Sequence, residues 1–308
     1  MESAECAARF GQAAAGVCQR LAEMGWDPAM GAGWFSGLSA IIAGFVFSAI
    51  VLLLTPGSPF RRSSGYQVEP GHALPVLLGS FLSLLSASFL FILAASQHHP
   101  LKVGPSAVLA AAVFGAGAVQ TFVAISWLSA ASPLTPFASG CFSFAARFVM
   151  LSTGLHVLVT VIKSQWIVTG GSLGAARVAA YAFLLVGPWL AVRTLVHPHS
   201  ISSRRTGRLQ MASLKLSVSF VALASTGVVF AVDRGNISPA ASFPDWMAIA
   251  TLLGLGLIYS LHELNLPVPA MLPGLEEEHA RGGHDGLGAD ELAIPILPGA
   301  RRRALVSL

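Results

Sequence analysis

The chain has 308 residues, of which 54% are hydrophobic and only 10% are charged. Its mean hydropathy is +0.70, whereas a water-soluble domain needs a far more charged surface than this composition provides. The formal charge of +4 does not indicate nucleic-acid binding, because the arginines stand beside apolar runs, as the basic flanks of membrane segments do.

Residues 1–32 are predicted to form an extramembrane segment. Glu2 and Glu5 give the segment an acidic start, unlike the basic start of a cleaved signal peptide. Its apolar side chains recur at helical spacing, which favours a short interfacial helix. The residues of this apolar stripe are Phe10, Val17, Leu21 and Met24.

Residues 33–263 contain seven apolar runs, each close to the roughly 20 residues that a helix needs to cross the hydrocarbon layer. The runs cover residues 34–55, 74–96, 105–130, 137–162, 175–196, 209–232 and 244–262. They are continuously apolar, whereas strands of a membrane barrel alternate. We predict an all-α polytopic membrane helix bundle of about seven transmembrane helices. Because Arg177, Arg193 and Lys215 interrupt the fifth and sixth runs, counts of six and eight stay open.

The distribution of basic residues predicts an N-terminus outside and a C-terminus inside the cell membrane. With that topology the inner loops receive most of the arginines, including Arg61, Arg62, Arg193, Arg204, Arg205 and Arg208. Residues 264–308 are rich in proline, glycine and charge and are predicted to be a disordered cytoplasmic tail. The abundant alanine, glycine and arginine suggest a bacterial genome.

Carboxylates are absent between Glu69 and Asp233, so the second to sixth runs contain none. Arg147 lies in this acid-free region, about 15 Å along the fourth run if the helix begins near residue 137. Without an acidic partner in neighbouring spans, a buried guanidinium needs water, carbonyl groups or an anion. Arg147 is therefore a candidate site for an anionic solute or a lipid headgroup. The alternative is that Arg147 lies near a helix end and reaches the membrane surface.

Gln120 in the third run and His156 in the fourth are the other two candidate substrate-binding residues. Each is a polar group that can line a wet path, and the alternative role of each is hydrogen bonding between helices. Tyr259 and Glu263 are four residues apart and are expected to interact, whereas His262 and Glu263 should point to different helix faces.

No metal or cofactor site is predicted. The histidines near the inner helix ends do not follow a compact ligand motif; they are His72, His197, His199 and His262. The cysteines contain no CxxC pair, so neither a disulfide nor zinc is expected to stabilise the fold; they are Cys6, Cys18 and Cys141. Small residues in the first run favour helix packing within one chain, with a homo-oligomer as the alternative. These are Ser36, Ala40, Gly44 and Ser48.

The sequence contains none of the common phosphate-binding, hydrolase, zinc-protease or dinucleotide motifs in a meaningful context. We expect a small transporter or channel-like bundle for a neutral or anionic solute, with Arg147 and Gln120 lining its path and membrane lipids around it. One alternative is an intramembrane enzyme acting on a lipid or isoprenoid, similar to small seven-helix terpene cyclases. Its acid would come from Glu69, Asp233, Asp245 or Glu263. The other alternative is an accessory or sensor subunit.

Overall fold

The computed structural model describes residues 15–25, 27–55, 73–97, 100–130, 136–195, 203–233 and 244–266. Within these ranges the chain forms eight helices and no strand. They are α1 (Ala15–Met24), α2 (Pro28–Leu54), α3 (Ala73–Ser96), α4 (Pro100–Ala130), α5 (Pro136–Val168), α6 (Ala175–Leu195), α7 (Ser203–Asp233) and α8 (Asp245–Asn265). The seven helices α2 to α8 are long and apolar enough to cross a membrane. The predicted all-α, multi-pass membrane bundle with about seven transmembrane helices is confirmed.

Local sequence signals set the helix ends. The side chain of Asp27 caps α2 by accepting hydrogen bonds from the backbone nitrogens of Ala29 and Met30, at 3.1 and 3.0 Å. After α5 the chain turns through Gly170 and Gly171, whose φ angles of 70° and 92° lie in the left-handed region that glycine adopts without strain. Each predicted apolar run lies almost entirely within one helix.

Helix α4 lies at the centre of the bundle, where it packs against α2, α3, α5, α7 and α8. Its small residues allow this close approach. A Cβ atom on Gly117 would lie 2.8 Å from the Leu84 Cγ and 3.1 Å from the Leu84 backbone nitrogen. In a membrane, where apolar burial between helices gains little, such close backbone packing is a principal source of stability.

Large apolar side chains cover the outside of the bundle. The most exposed include Trp34, Phe45, Phe89, Phe144, Phe148, Leu155, Phe183 and Leu223. A continuous apolar exterior of this kind is matched by lipid tails and not by water. This exterior fits a multi-pass membrane protein.

The small-residue stripe of α2 faces this exterior. Ser36 does pack inside the chain, since its hydroxyl lies 3.3 Å from that of Ser88. Ala40, Gly44 and Ser48 are exposed, however, and a Cβ on Gly44 would meet nothing within 4 Å. Our expectation that the stripe serves packing within one chain is therefore wrong for three of its four residues. A homo-oligomer stays a prediction.

A short helix, α1, precedes the first span, while its predicted position at the membrane interface stays a prediction. Its Val17 is buried together with Ile167 of α5, and Leu21 and Met24 pack against this pair. Cys18 is disulfide-bonded, which contradicts our expectation that no disulfide forms, while Cys141 is a free, exposed thiol. The spacing of cysteines within a sequence cannot reveal such a bond, because it depends on folding.

Several predictions concern residues outside the described ranges. These are the tail from residue 267 onward, the loop containing Glu69 and His72, the histidines His197 and His199, and Phe10 of the N-terminal stripe.

Candidate functional site

Arg147 of α5 forms an ion pair with Glu263 of α8. The Arg147 Nη2 lies 3.0 Å from the Glu263 Oε1, and the Arg147 Nε donates to both carboxylate oxygens at 3.0 and 3.3 Å. The side chain of Glu263 is only 9% exposed, whereas that of Arg147 is 40% exposed. Our expectation that neighbouring spans offer no acidic partner is thus wrong. The last span supplies one, because α8 packs against α5.

Two residues of α6 complete what we call the arginine cluster, which consists of Arg147, Glu263, Trp189 and Arg193. The indole nitrogen of Trp189 donates to the Glu263 Oε2 at 3.3 Å. The guanidinium of Arg193 lies over the Trp189 ring, 5.5 Å from its centroid, in a cation–π contact. Trp189 is not among the predicted site residues, although a tryptophan near a helix end is a common sign of a membrane interface.

Tyr259 does not take part in this cluster. Its hydroxyl lies 2.6 Å from the Thr153 hydroxyl of α5. Tyr259 and Glu263 were expected to contact each other, but each contacts α5 instead, Tyr259 through Thr153 and Glu263 through Arg147. His262, in contrast, does face away from Glu263 as expected, since it lies beside Ser213 of α7.

A second ion pair marks the opposite end of α8. The Arg177 Nη2 lies 3.4 Å from the Asp245 Oδ2, with both side chains more than 40% exposed. Asp245 and Glu263 are separated by about 27 Å at 1.5 Å per residue, close to the roughly 30 Å of the hydrocarbon layer. We infer that the two ion pairs lie near the two membrane surfaces. Arg147 is then near one surface, and the start of α5 projects beyond it.

Gln120 faces the interior of the bundle. It is 1% exposed, and its amide nitrogen donates to the Ser217 hydroxyl of α7. Its carbonyl oxygen accepts no hydrogen bond among the described residues. Gly79 of α3 leaves room for this oxygen, because a Cβ there would approach it to 3.0 Å.

Further polar side chains of α3, α4, α7 and α8 form contacts between helices, and all of them except the partly buried Thr121 are buried. The Ser80 hydroxyl lies 2.7 Å from that of Thr121, and the Ser213 hydroxyl lies 3.3 and 3.4 Å from the two ring nitrogens of His262. We call this set the polar seam. It comprises Ser80, Gln120, Thr121, Ser213, Ser217 and His262.

His156 lies elsewhere, on an exposed part of α5, where its ring centroid is 4.9 Å from that of Phe35 in α2. The three predicted site residues therefore have different neighbours. Gln120 contacts α7, Arg147 contacts α8 and His156 contacts α2. Residue types alone cannot predict this separation, since it depends on which helix each face meets.

Glu263 is the hydrogen-bond acceptor of the arginine cluster. Its two carboxyl oxygens accept from Arg147 and from Trp189. The described part of the chain contains no group of three His, Cys, Asp or Glu residues that could hold a metal ion.

No protein-family model, curated protein or solved structure shows significant similarity to this chain.

Proposed function

We propose that this multi-pass membrane protein is a small transporter or channel-like bundle for a neutral or anionic solute. The observation that carries the proposal is the polar seam, a set of buried and partly buried polar side chains whose hydrogen bonds join α3 to α4, α4 to α7 and α7 to α8. Polar groups at membrane depth are costly and commonly mark pathways for polar solutes. Their alternative role is to join helices, and the experiment below separates the two roles.

Gln120 is the central residue of the proposed path. Its amide nitrogen is engaged by Ser217, while its carbonyl oxygen is available to a hydrogen-bond donor on a solute. In this scheme the ion pair between Arg147 and Glu263 joins α5 to α8 at one end of the bundle. An anionic solute would compete with Glu263 for the Arg147 guanidinium, whose exposed side is open to it.

The substitution Gln120→Leu tests the path. Its matched control is Ser88→Ala, which removes a hydrogen bond between α2 and α3 outside the seam. Proteoliposomes holding each full-length variant are placed in hyperosmotic glycerol, urea or potassium lactate, and their swelling is followed by light scattering. The wild type is expected to admit at least one of these solutes. Gln120→Leu should lower the rate of swelling in that solute at least about tenfold, which is equivalent to losing one interaction of about 1.4 kcal/mol in the path. Ser88→Ala should keep the wild-type rate of swelling.

Two results would overturn the proposal. One is a wild-type protein that is folded in the liposomes yet leaves all three permeabilities at the level of empty liposomes. The other is a Gln120→Leu variant that loses as much thermal stability as Ser88→Ala but keeps the wild-type rate, since the seam would then only join helices.

We further propose that the N-terminus lies outside and the C-terminus inside the plasma membrane. The disulfide at Cys18 supports this orientation, because disulfides form and persist on the oxidising side of that membrane. The start of α5 and the end of α8 then face the cytoplasm, with the arginine cluster near the inner surface.

Cys141 provides a test of the orientation. It is a free, exposed thiol that lies about 9 Å before Arg147 along α5, beyond the inferred membrane surface. A membrane-impermeant maleimide is expected to leave Cys141 unlabelled in intact cells and to label it after lysis. A Cys141→Ser variant shows which signal belongs to this residue. Full labelling before lysis would mean that the orientation is reversed.

A further inference from the structure

The arginine cluster carries an excess of positive charge on the outside of the bundle. Arg147 remains 40% exposed although it is paired, and Arg193 is exposed. In the described ranges Arg193 makes no ion pair, so the cluster holds two guanidinium groups but only one carboxylate, which is paired with Arg147. Trp189 holds the arrangement together, because it donates to Glu263 and lies under Arg193.

The length of α6 favours a position of the cluster at the depth of lipid headgroups. Arg177 and Arg193 are separated by about 24 Å along α6, so they occupy opposite ends of a span that nearly matches the hydrocarbon layer. Tryptophan and arginine side chains at this depth meet phosphate groups, whereas the next turns toward the membrane centre meet acyl chains.

Exposed apolar side chains continue from the cluster along both helices. Phe148 and Leu151 follow Arg147 on α5 and are 63% and 55% exposed, while Leu190 and Phe183 on α6 are 47% and 74% exposed. A ligand with both an anionic head and hydrocarbon chains is therefore complementary to this surface. A soluble anion would use the guanidinium groups alone.

We propose that the arginine cluster binds the phosphodiester headgroup of an anionic phospholipid. Arg193 and the exposed side of Arg147 donate to the phosphate oxygens, a geometry for which the planar guanidinium is well suited. The acyl chains lie over the exposed side chains of α5 and α6. The proposal shares Arg147 with the proposed solute path, whereas Arg193 and Trp189 belong to the lipid site alone, so variants of Arg193 test the lipid site separately from the path.

Lipid-dependent stability tests the proposal. The full-length protein in detergent is heated with added phosphatidylglycerol, phosphatidylcholine or soluble glycerol 3-phosphate. Phosphatidylglycerol is expected to raise the Tm by about 2–4 °C relative to phosphatidylcholine, as a ligand that binds only the folded state does. Arg193→Gln should lose most of this rise. The matched control Arg177→Gln changes an arginine at the other end of the same helix and should keep it.

Native mass spectrometry of the same samples should show more phosphatidylglycerol than phosphatidylcholine retained by the wild type and less phosphatidylglycerol retained by Arg193→Gln. Arg193→Lys, which keeps the charge but not the planar fork, should show an intermediate effect. An equal Tm rise in Arg193→Gln and wild type, or no difference between the two lipids, would refute the proposal. A rise reproduced by glycerol 3-phosphate would also refute it and assign the cluster to a soluble phosphate.

Discussion

Gly256→Ala should destabilise the bundle by about 1–3 kcal/mol or more, because the added methyl group has no space. A Cβ at this position would lie 2.6 Å from the carbonyl oxygen of Leu185 and 2.8 Å from that of Leu184. Both atoms belong to the backbone of α6, so no side-chain rotation can relieve the contact. Helix α6 packs chiefly against α8 and would have to move away as a unit.

Gly44→Ala is the matched control for this substitution. It makes the same chemical change in the middle of a transmembrane helix, but a Cβ on Gly44 meets nothing within 4 Å. Its effect should stay within about 0.5 kcal/mol. Thermal unfolding in a mild detergent compares the two variants. Equal Tm values would show that α6 and α8 are not packed as closely as described. If the Gly256→Ala protein fails to accumulate while the Gly44→Ala protein accumulates normally, that result supports the close packing.

Disrupting the ion pair between Arg147 and Glu263 should have the second largest effect. In a double-mutant cycle with Arg147→Gln and Glu263→Gln we expect a coupling free energy of about 1–3 kcal/mol. The low exposure of the Glu263 side chain and its hydrogen bond from Trp189 reduce the competition from water. The partial exposure of Arg147 keeps the value below that of a fully buried pair.

The ion pair between Arg177 and Asp245 supplies the control cycle. It also joins α8 to a neighbouring helix, but both of its side chains are more than 40% exposed. Its coupling, from Arg177→Gln and Asp245→Asn, should be below about 1 kcal/mol and should fall further at 1 M salt, where exposed charges are screened. Equal couplings and equal salt dependence in the two cycles would contradict the distinction between the pairs.

The amino-acid sequence by itself determines which segments become membrane helices. The run at residues 74–96 becomes α3 (Ala73–Ser96), and the run at 175–196 becomes α6 (Ala175–Leu195). Hydrophobicity is a property of each residue type, and the thickness of the hydrocarbon layer fixes the length that is needed. Even the fifth and sixth runs, which basic residues interrupt, form continuous helices, since those residues lie toward the helix ends or on exposed faces.

Only the tertiary structure decides which helix faces meet. The stretch without carboxylates suggested an unpaired Arg147, yet its partner Glu263 lies 116 residues away and is brought close by the packing of α5 against α8. Three of the four small residues in the α2 stripe face outward for a related reason. Lipid tails and neighbouring helices are both apolar, so the composition of a helix face does not reveal which of them it contacts. That choice follows from shape and hydrogen bonding between segments that are distant in the sequence.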